Sequence, residues 1–171
     1  MVKLNPQQPA PDFRLPSSLG VDLSLRDYRH QQPVVLFFAH SAECPRCRQR
    51  LQGFVEHYDD YRFWQAEILA VIPEPLTTAR QLAETLGLPF PVLSDVDGSV
   101  RSQYVGMVAL TDLPRSAVFV LDRFGAPEAW DVASDADELM APDEALAWVQ
   151  HGELACPECG VTEWPFTNGK E

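Results

Sequence analysis

The sequence predicts an α/β fold in which a central mixed β-sheet is flanked by helices. Pro33-Val34-Val35-Leu36-Phe37-Phe38-Ala39 is a continuous apolar run, β-branched and aromatic, as a strand covered on both faces requires. Helix-like and strand-like segments alternate after it, the order from which right-handed crossovers between parallel strands are built. The chain has 171 residues, 46% of them hydrophobic and 22% charged. That suits one domain large enough to bury a core without metal or disulfide staples.

Residues 1–16 carry Pro6, Pro9, Pro11 and Pro16, so they form an extended surface arm with a short edge strand around Asp12-Phe13-Arg14-Leu15. After the central strand, Leu51, Phe54, Val55 and Tyr58 recur at spacings of three and four, which predicts one amphipathic helix from Pro45 to Tyr61. Ile68-Leu69-Ala70-Val71-Ile72 is a second buried strand, stopped by Pro73-Glu74-Pro75. Thr77 to Leu86 reads as a helix with Gly87 at its C-terminal end. Phe90-Pro91-Val92-Leu93 brings the chain back to the sheet edge, and Asp97-Gly98 makes a turn. Ala117 to Leu121 is a third strong strand, joined through Gly125 to a weaker one near Ala129 to Val132. A last helix spans Asp143 to Gln150, entered through Pro142 and closed near Gly152. The expected organisation is one domain over 1–152 and a C-terminal tail over 153–171.

The net charge of -12 and a pI near 4.6 oppose binding to nucleic acid or to anionic lipid, because phosphates are repelled at long range. Much of the acidity lies between Asp122 and Glu144, read as a solvated face. Met1 to Pro6 has no apolar leader, and no stretch approaches the run of about 20 apolar residues that a spanning helix needs. A cytoplasmic protein is expected. Four cysteines in two Cys-x-x-Cys pairs then indicate redox or metal chemistry rather than a structural disulfide framework.

Cys44-Pro45-Arg46-Cys47 falls where the central strand hands over to the amphipathic helix. Unpaired backbone N–H groups and the positive dipole end favour an anion there, so a thiolate gains over the thiol. The thiolate is the form that attacks a disulfide. Arg46, Arg48 and Arg50 add positive charge, and Glu43 opposes them. One helical turn brings the two sulfurs close enough to bond reversibly. Cys44, at the exposed end, is expected to attack and Cys47, one turn in, to resolve the mixed disulfide. His40, four residues upstream of the motif, is a candidate proton relay, with a plain hydrogen-bonding role as the alternative.

These residues resemble the thioredoxin-like superfamily, specifically the redoxin branch containing alkyl hydroperoxide reductase, thiol-specific antioxidant proteins and bacterioferritin-comigratory-type peroxiredoxins. Ala10 to Pro16 is similar to that family's opening arm, and Gly20 with Leu23 to Tyr28 to its first hairpin. Val34 to Phe38 followed by Cys44-Pro45-Arg46-Cys47-Arg48 is similar to its central strand and active-site turn. Leu88 to Asp95 and Phe119 to Gly125 resemble two later signatures. Peroxiredoxins usually carry Pro-x-x-x-Thr-x-x-Cys; here His40 stands at the Pro position, Cys44 at the Thr position and Cys47 at the peroxidatic position. Thioredoxin-like reductases have Trp before the first Cys, where this chain has Glu43. The family's cis-proline facing the dithiol corresponds to Ser116, and its arginine beside the peroxidatic thiolate falls one residue from Arg115. The resemblance implies a thiol-disulfide oxidoreductase with peroxidase activity, needing no organic cofactor. Its partners would be a thiol or disulfide protein or a peroxide, with room for a homo-oligomer.

The second pair, Cys156-Pro157-Glu158-Cys159-Gly160, lies in the tail and is foreign to the redoxin fold. Three readings stand: a mobile dithiol that reduces the first pair, a zinc knuckle needing two further ligands, and an inert reduced pair. The metal reading gives the alternative function, a zinc-binding or adaptor protein that uses its cysteine pairs structurally.

Overall fold

The computed structural model describes residues 5–106, Gln7 apart, and 116–155. Five strands form one mixed sheet in the order β5-β4-β3-β6-β7. The central strand β3 (Val34–Phe38) pairs parallel with β4 (Glu67–Ile72) and antiparallel with β6 (Ser116–Leu121). At the edges, β5 (Val92–Ser94) runs parallel to β4, and β7 (Pro127–Ala133) antiparallel to β6. A separate hairpin of β1 (Arg14–Pro16) and β2 (Asp22–Ser24) precedes them, β1 starting two residues and ending one residue later than the edge strand expected in the arm.

All five β3 residues are buried, as the unbroken apolar run requires. Because successive side chains alternate, Val35 and Phe37 enter one layer with Leu51, Phe54, Tyr61 and Leu146. Val34, Leu36 and Phe38 enter the other with Phe13, Tyr104 and Phe119. At roughly 1.5–3 kcal/mol for each large apolar side chain fully buried, this two-sided core fixes where β3 ends and the site begins.

The expected helix from Pro45 to Tyr61 is instead two, α1 (Pro45–Glu56) and α2 (Tyr58–Phe63), broken at His57, whose ψ of 5° leaves the helical region. Tertiary contacts decide the break. Tyr61 donates its hydroxyl to the Pro142 carbonyl at 2.6 Å and Tyr58 to the Glu67 carboxylate at 3.0 Å, partners no periodicity reveals. Helix α3 (Leu76–Leu86) ends at Gly87, left-handed at φ 60°, as the sequence predicts.

Helix α4 (Ser99–Gly106) was not expected. It follows the Asp97-Gly98 turn, where Gly98 has φ 67°, and its first amides are capped from outside: Asp95 accepts the N–H groups of Val100 and Arg101 at 3.3 and 2.8 Å. Helix α5 (Pro142–Leu154) overruns its expected end and enters the segment assigned to the tail.

The acidic run is only partly a solvated face. Asp122 Oδ1 accepts from Phe124 and Ala126 and closes the β6–β7 turn, Asp131 accepts the Met140 N–H, and Asp135 pairs with Arg46. Among the described residues no helix is long and apolar enough to cross a membrane.

Candidate active site

At the C-terminal end of β3 the chain turns through residues 39–44 and enters α1, with Pro45 at its first position and Cys44 as N-cap. The Cys44 sulfur accepts the Cys47 N–H at 3.4 Å, taking the place an oxygen usually fills at such a cap. Cys44 is half-buried; Cys47, one turn in, is 1% exposed. Both thiols are free.

Two polar groups face the Cys47 sulfur. The His40 N–H lies at 3.4 Å and the Ser116 Oγ, at the start of β6, at 3.5 Å. Burial pushes the Cys47 thiol up, and the neighbouring Cys44 adds to this; Ser116 and the His40 amide pull it down. The helix start and the arginines were expected to favour a thiolate; at Cys47 desolvation is the larger effect and acts against one.

The three arginines of α1 are turned to other partners. Arg46 pairs with Asp135 and Asp137, and Arg50 donates to the carbonyls of Ala136 and Leu139, so both fasten α1 to the 3₁₀ turn at Ala136–Glu138. Arg48 donates to the Ala42 carbonyl at 2.7 Å and reaches Glu43, bracing the loop that carries Cys44. What His40 brings to the sulfur is its backbone N–H; its side chain is exposed. Arg115, Cys156 and Cys159 lie outside the described residues.

Two charged groups at the site were missed by sequence reasoning. Glu74, just past β4, accepts the Ala42 N–H at 3.0 Å, and its Oε2 is buried with no hydrogen-bond partner among the described residues. Arg101, on α4, donates to the carbonyl of Ala39 and feels the charges of Asp95, Cys47 and Glu74. Burial pulls its affinity for protons down, and those three groups raise it. One signal was available: Glu74 and Asp95 both follow strands parallel to β3, so they end at the same edge of the sheet as the dithiol.

No group of three or more His, Cys, Asp or Glu among the described residues is arranged to hold a metal ion. The arrangement at Cys44 and Cys47 can instead form and break one sulfur-sulfur bond, with the outer sulfur open to a reactant and the inner one desolvated.

The sequence model of the AhpC/TSA family matches residues 6–126. The chloroplastic peroxiredoxin Q of Populus jackii is 29% identical over 124 residues, 72% of this chain and 58% of that protein. Its counterpart in Triticum aestivum is 30% identical over 116 residues, covering 67% and 53%. The chain thus spans little more than half the length of these curated relatives. The crystal structure of the peroxidoxin BcpB of Mycobacterium tuberculosis superimposes with a TM-score of 0.74 at 24% identity, covering 88% of this chain and 98% of that one. A Xanthomonas campestris peroxiredoxin Q structure gives 0.72 at 18%, covering 82% and 91%. At these identities the two structures show a shared fold. None of these matches supports a zinc-binding or adaptor reading.

Proposed function

The chain belongs to the AhpC/TSA family, and from that membership we propose that it is a thiol-dependent antioxidant oxidoreductase that cycles Cys44 and Cys47 between dithiol and disulfide. The observation that carries this reading is the asymmetry of the pair: a half-buried sulfur at the head of α1 and a second sulfur one turn behind it, 1% exposed.

Cys44 is the attacking thiolate. With a peroxide, its sulfur bonds the nearer peroxide oxygen, the O–O bond breaks, and the alkoxide or hydroxide leaves with a proton, so that Cys44 becomes a sulfenic acid. Cys47, giving up its proton, then bonds the Cys44 sulfur and water leaves. An external dithiol restores the pair: its first thiolate attacks Cys44, Cys47 leaves as thiolate, and its second thiol releases Cys44. A protein dithiol, or Cys156 and Cys159 of this chain, fits that role. We place the protein in the cytoplasm, where thiols are kept reduced. No organic cofactor enters the cycle, and the domain of 1–152 supplies it.

Family position favours a second assignment, with Cys47 attacking the peroxide, and the two polar groups at its sulfur suit a developing negative charge. Peroxide treatment of Cys44→Ser and Cys47→Ser in the presence of a sulfenic-acid trap separates the two. Trapped sulfenic acid on Cys44 in Cys47→Ser, with none on Cys47 in Cys44→Ser, supports the proposed order; the reverse pattern exchanges the roles. Full peroxidase and disulfide reductase activity in the double variant eliminates both.

A further inference from the structure

The Ala39–His40 peptide group stands between a cation and a sulfur. Its carbonyl oxygen accepts from Arg101 Nη2, and its N–H donates to the Cys47 sulfur at 3.4 Å. In a trans peptide these two bonds point in opposite directions, so guanidinium, peptide and sulfur lie in one hydrogen-bonded chain. Ala39 is fully buried, and its own N–H donates to the Val71 carbonyl at 2.9 Å, which anchors the residue that carries the carbonyl.

We propose that Arg101 is a positioning residue for the dithiol: through the Ala39–His40 peptide it stabilises negative charge on the Cys47 sulfur. A positive charge at the carbonyl end polarises the amide and strengthens its N–H as a donor to an anion at the other end. The proposal deepens the reading of Cys44 and Cys47 as a redox pair and rests on it. The charge appears in two steps. When an external thiolate attacks Cys44 of the disulfide, the sulfur-sulfur bond breaks and its electron pair departs on Cys47. When Cys47 resolves an oxidised Cys44, it must first lose its proton.

Among the described residues, Arg101 is the cation that shares a charge interaction with Cys47. Cys47 meets Cys44 from the head of α1, the Ser116 hydroxyl from β6 and the His40 amide from the end of β3. Asp95 after β5 and Glu74 after β4 act on Arg101 with two negative charges. The α1 arginines are engaged with Asp135, Asp137, Glu43 and backbone carbonyls. Removing the guanidinium takes away the positive charge that interacts with Cys47 and leaves the Ala39 carbonyl without this donor.

The test uses the full chain with Cys44, Cys156 and Cys159 each replaced by Ser, so that Cys47 is the sole thiol. Thiolate absorbance is followed against pH. Replacing Arg101 by Met or by Gln should move the midpoint upward by about one pH unit. Arg101→Lys should recover at least half of the shift, because the charge and one donor return. If Arg101→Met does not fold, the Gln and Lys variants alone decide, since they separate charge from hydrogen bonding. Midpoints of the Arg, Lys and Gln proteins that coincide within about 0.2 pH units overturn the proposal. The titration reads a proton and not turnover, so inactivity toward peroxides and disulfides leaves it standing, and its failure leaves the proposed cycle standing.

Discussion

Ser116 holds its hydroxyl 3.5 Å from the Cys47 sulfur, and neither residue has more than 1% of its surface exposed. The contact joins the first residue of β6 to the first turn of α1, so the antiparallel half of the sheet supplies a donor to a thiol carried by the parallel half. A hydroxyl donates to a thiolate, so it opposes the desolvation that pushes Cys47 up. Ser116→Ala should raise the Cys47 titration midpoint by about one pH unit, since hydrogen bonds to charged groups contribute about 1.5–3 kcal/mol and each unit is about 1.4 kcal/mol. Absorbance titration of the protein with Cys47 as sole thiol measures it. An unchanged midpoint would show that the Ser116 hydroxyl donates elsewhere.

Arg46 lies inside the Cys-x-x-Cys motif but is turned toward Asp135 and Asp137. Its side chain is 56% exposed, so the pair is screened and contributes at most about 1 kcal/mol to stability. Arg46→Gln is expected to lower the unfolding free energy by less than about 1 kcal/mol and to leave the Cys47 midpoint within about 0.3 pH units. Denaturant unfolding and the same titration check both. A shift at Arg46 as large as that at Arg101 would return the electrostatic role to the motif's own cation.

The central strand, the helix-initial dithiol and the later β6–β7 hairpin were legible because each is encoded locally, in an apolar run, a Pro-led helix start or a glycine turn. Gly125, with φ 81°, makes that hairpin turn as expected. Helix α4 was not legible. Val100, Tyr104 and Val105 are its buried residues, among polar neighbours, and the carboxylate that starts it, Asp95, reads as a strand-end residue. Arg101 was lost with it. The direction of Arg46 and Arg50 was also hidden, since their partners at Asp135 to Leu139 lie more than eighty residues away. Spacing places charges near a motif in sequence; packing decides which of them face it.

Tyr61 is fully buried, and its hydroxyl donates to the Pro142 carbonyl at 2.6 Å, tying α2 to the first turn of α5. Tyr61→Phe keeps the ring and deletes the donor, leaving a carbonyl in an apolar layer with one partner fewer. The expected loss is about 1–2 kcal/mol, read as a lower denaturant midpoint with an unchanged slope. Peroxidase and reductase rates should stay at the wild-type level, because the site lies at the other end of α1. A change in slope would mean that the variant has altered the packing itself.

Alkaline pH should destabilise the reduced protein through the groups that folding makes harder to ionise. Burial pushes Cys47 above its ordinary 9.0, and Tyr28 and Tyr58 from 10.0 to about 12. In each case the unfolded chain gives up its proton first. The stabilisation is therefore fully present below pH 9 and is lost as pH rises through the raised folded values. The cysteine contribution begins to disappear near pH 9, and the tyrosines follow between 10 and 12. Under reducing conditions the unfolding midpoint should fall between pH 9 and 10, and Cys47→Ser should flatten that part of the curve. Tyr58→Phe should flatten the upper part, although it also removes the bond to Glu67 and so starts from a lower midpoint. If the reduced protein and Cys47→Ser fall in parallel from pH 9, Cys47 ionises as readily folded as unfolded, and the desolvation assigned to its place in the first turn of α1 is absent.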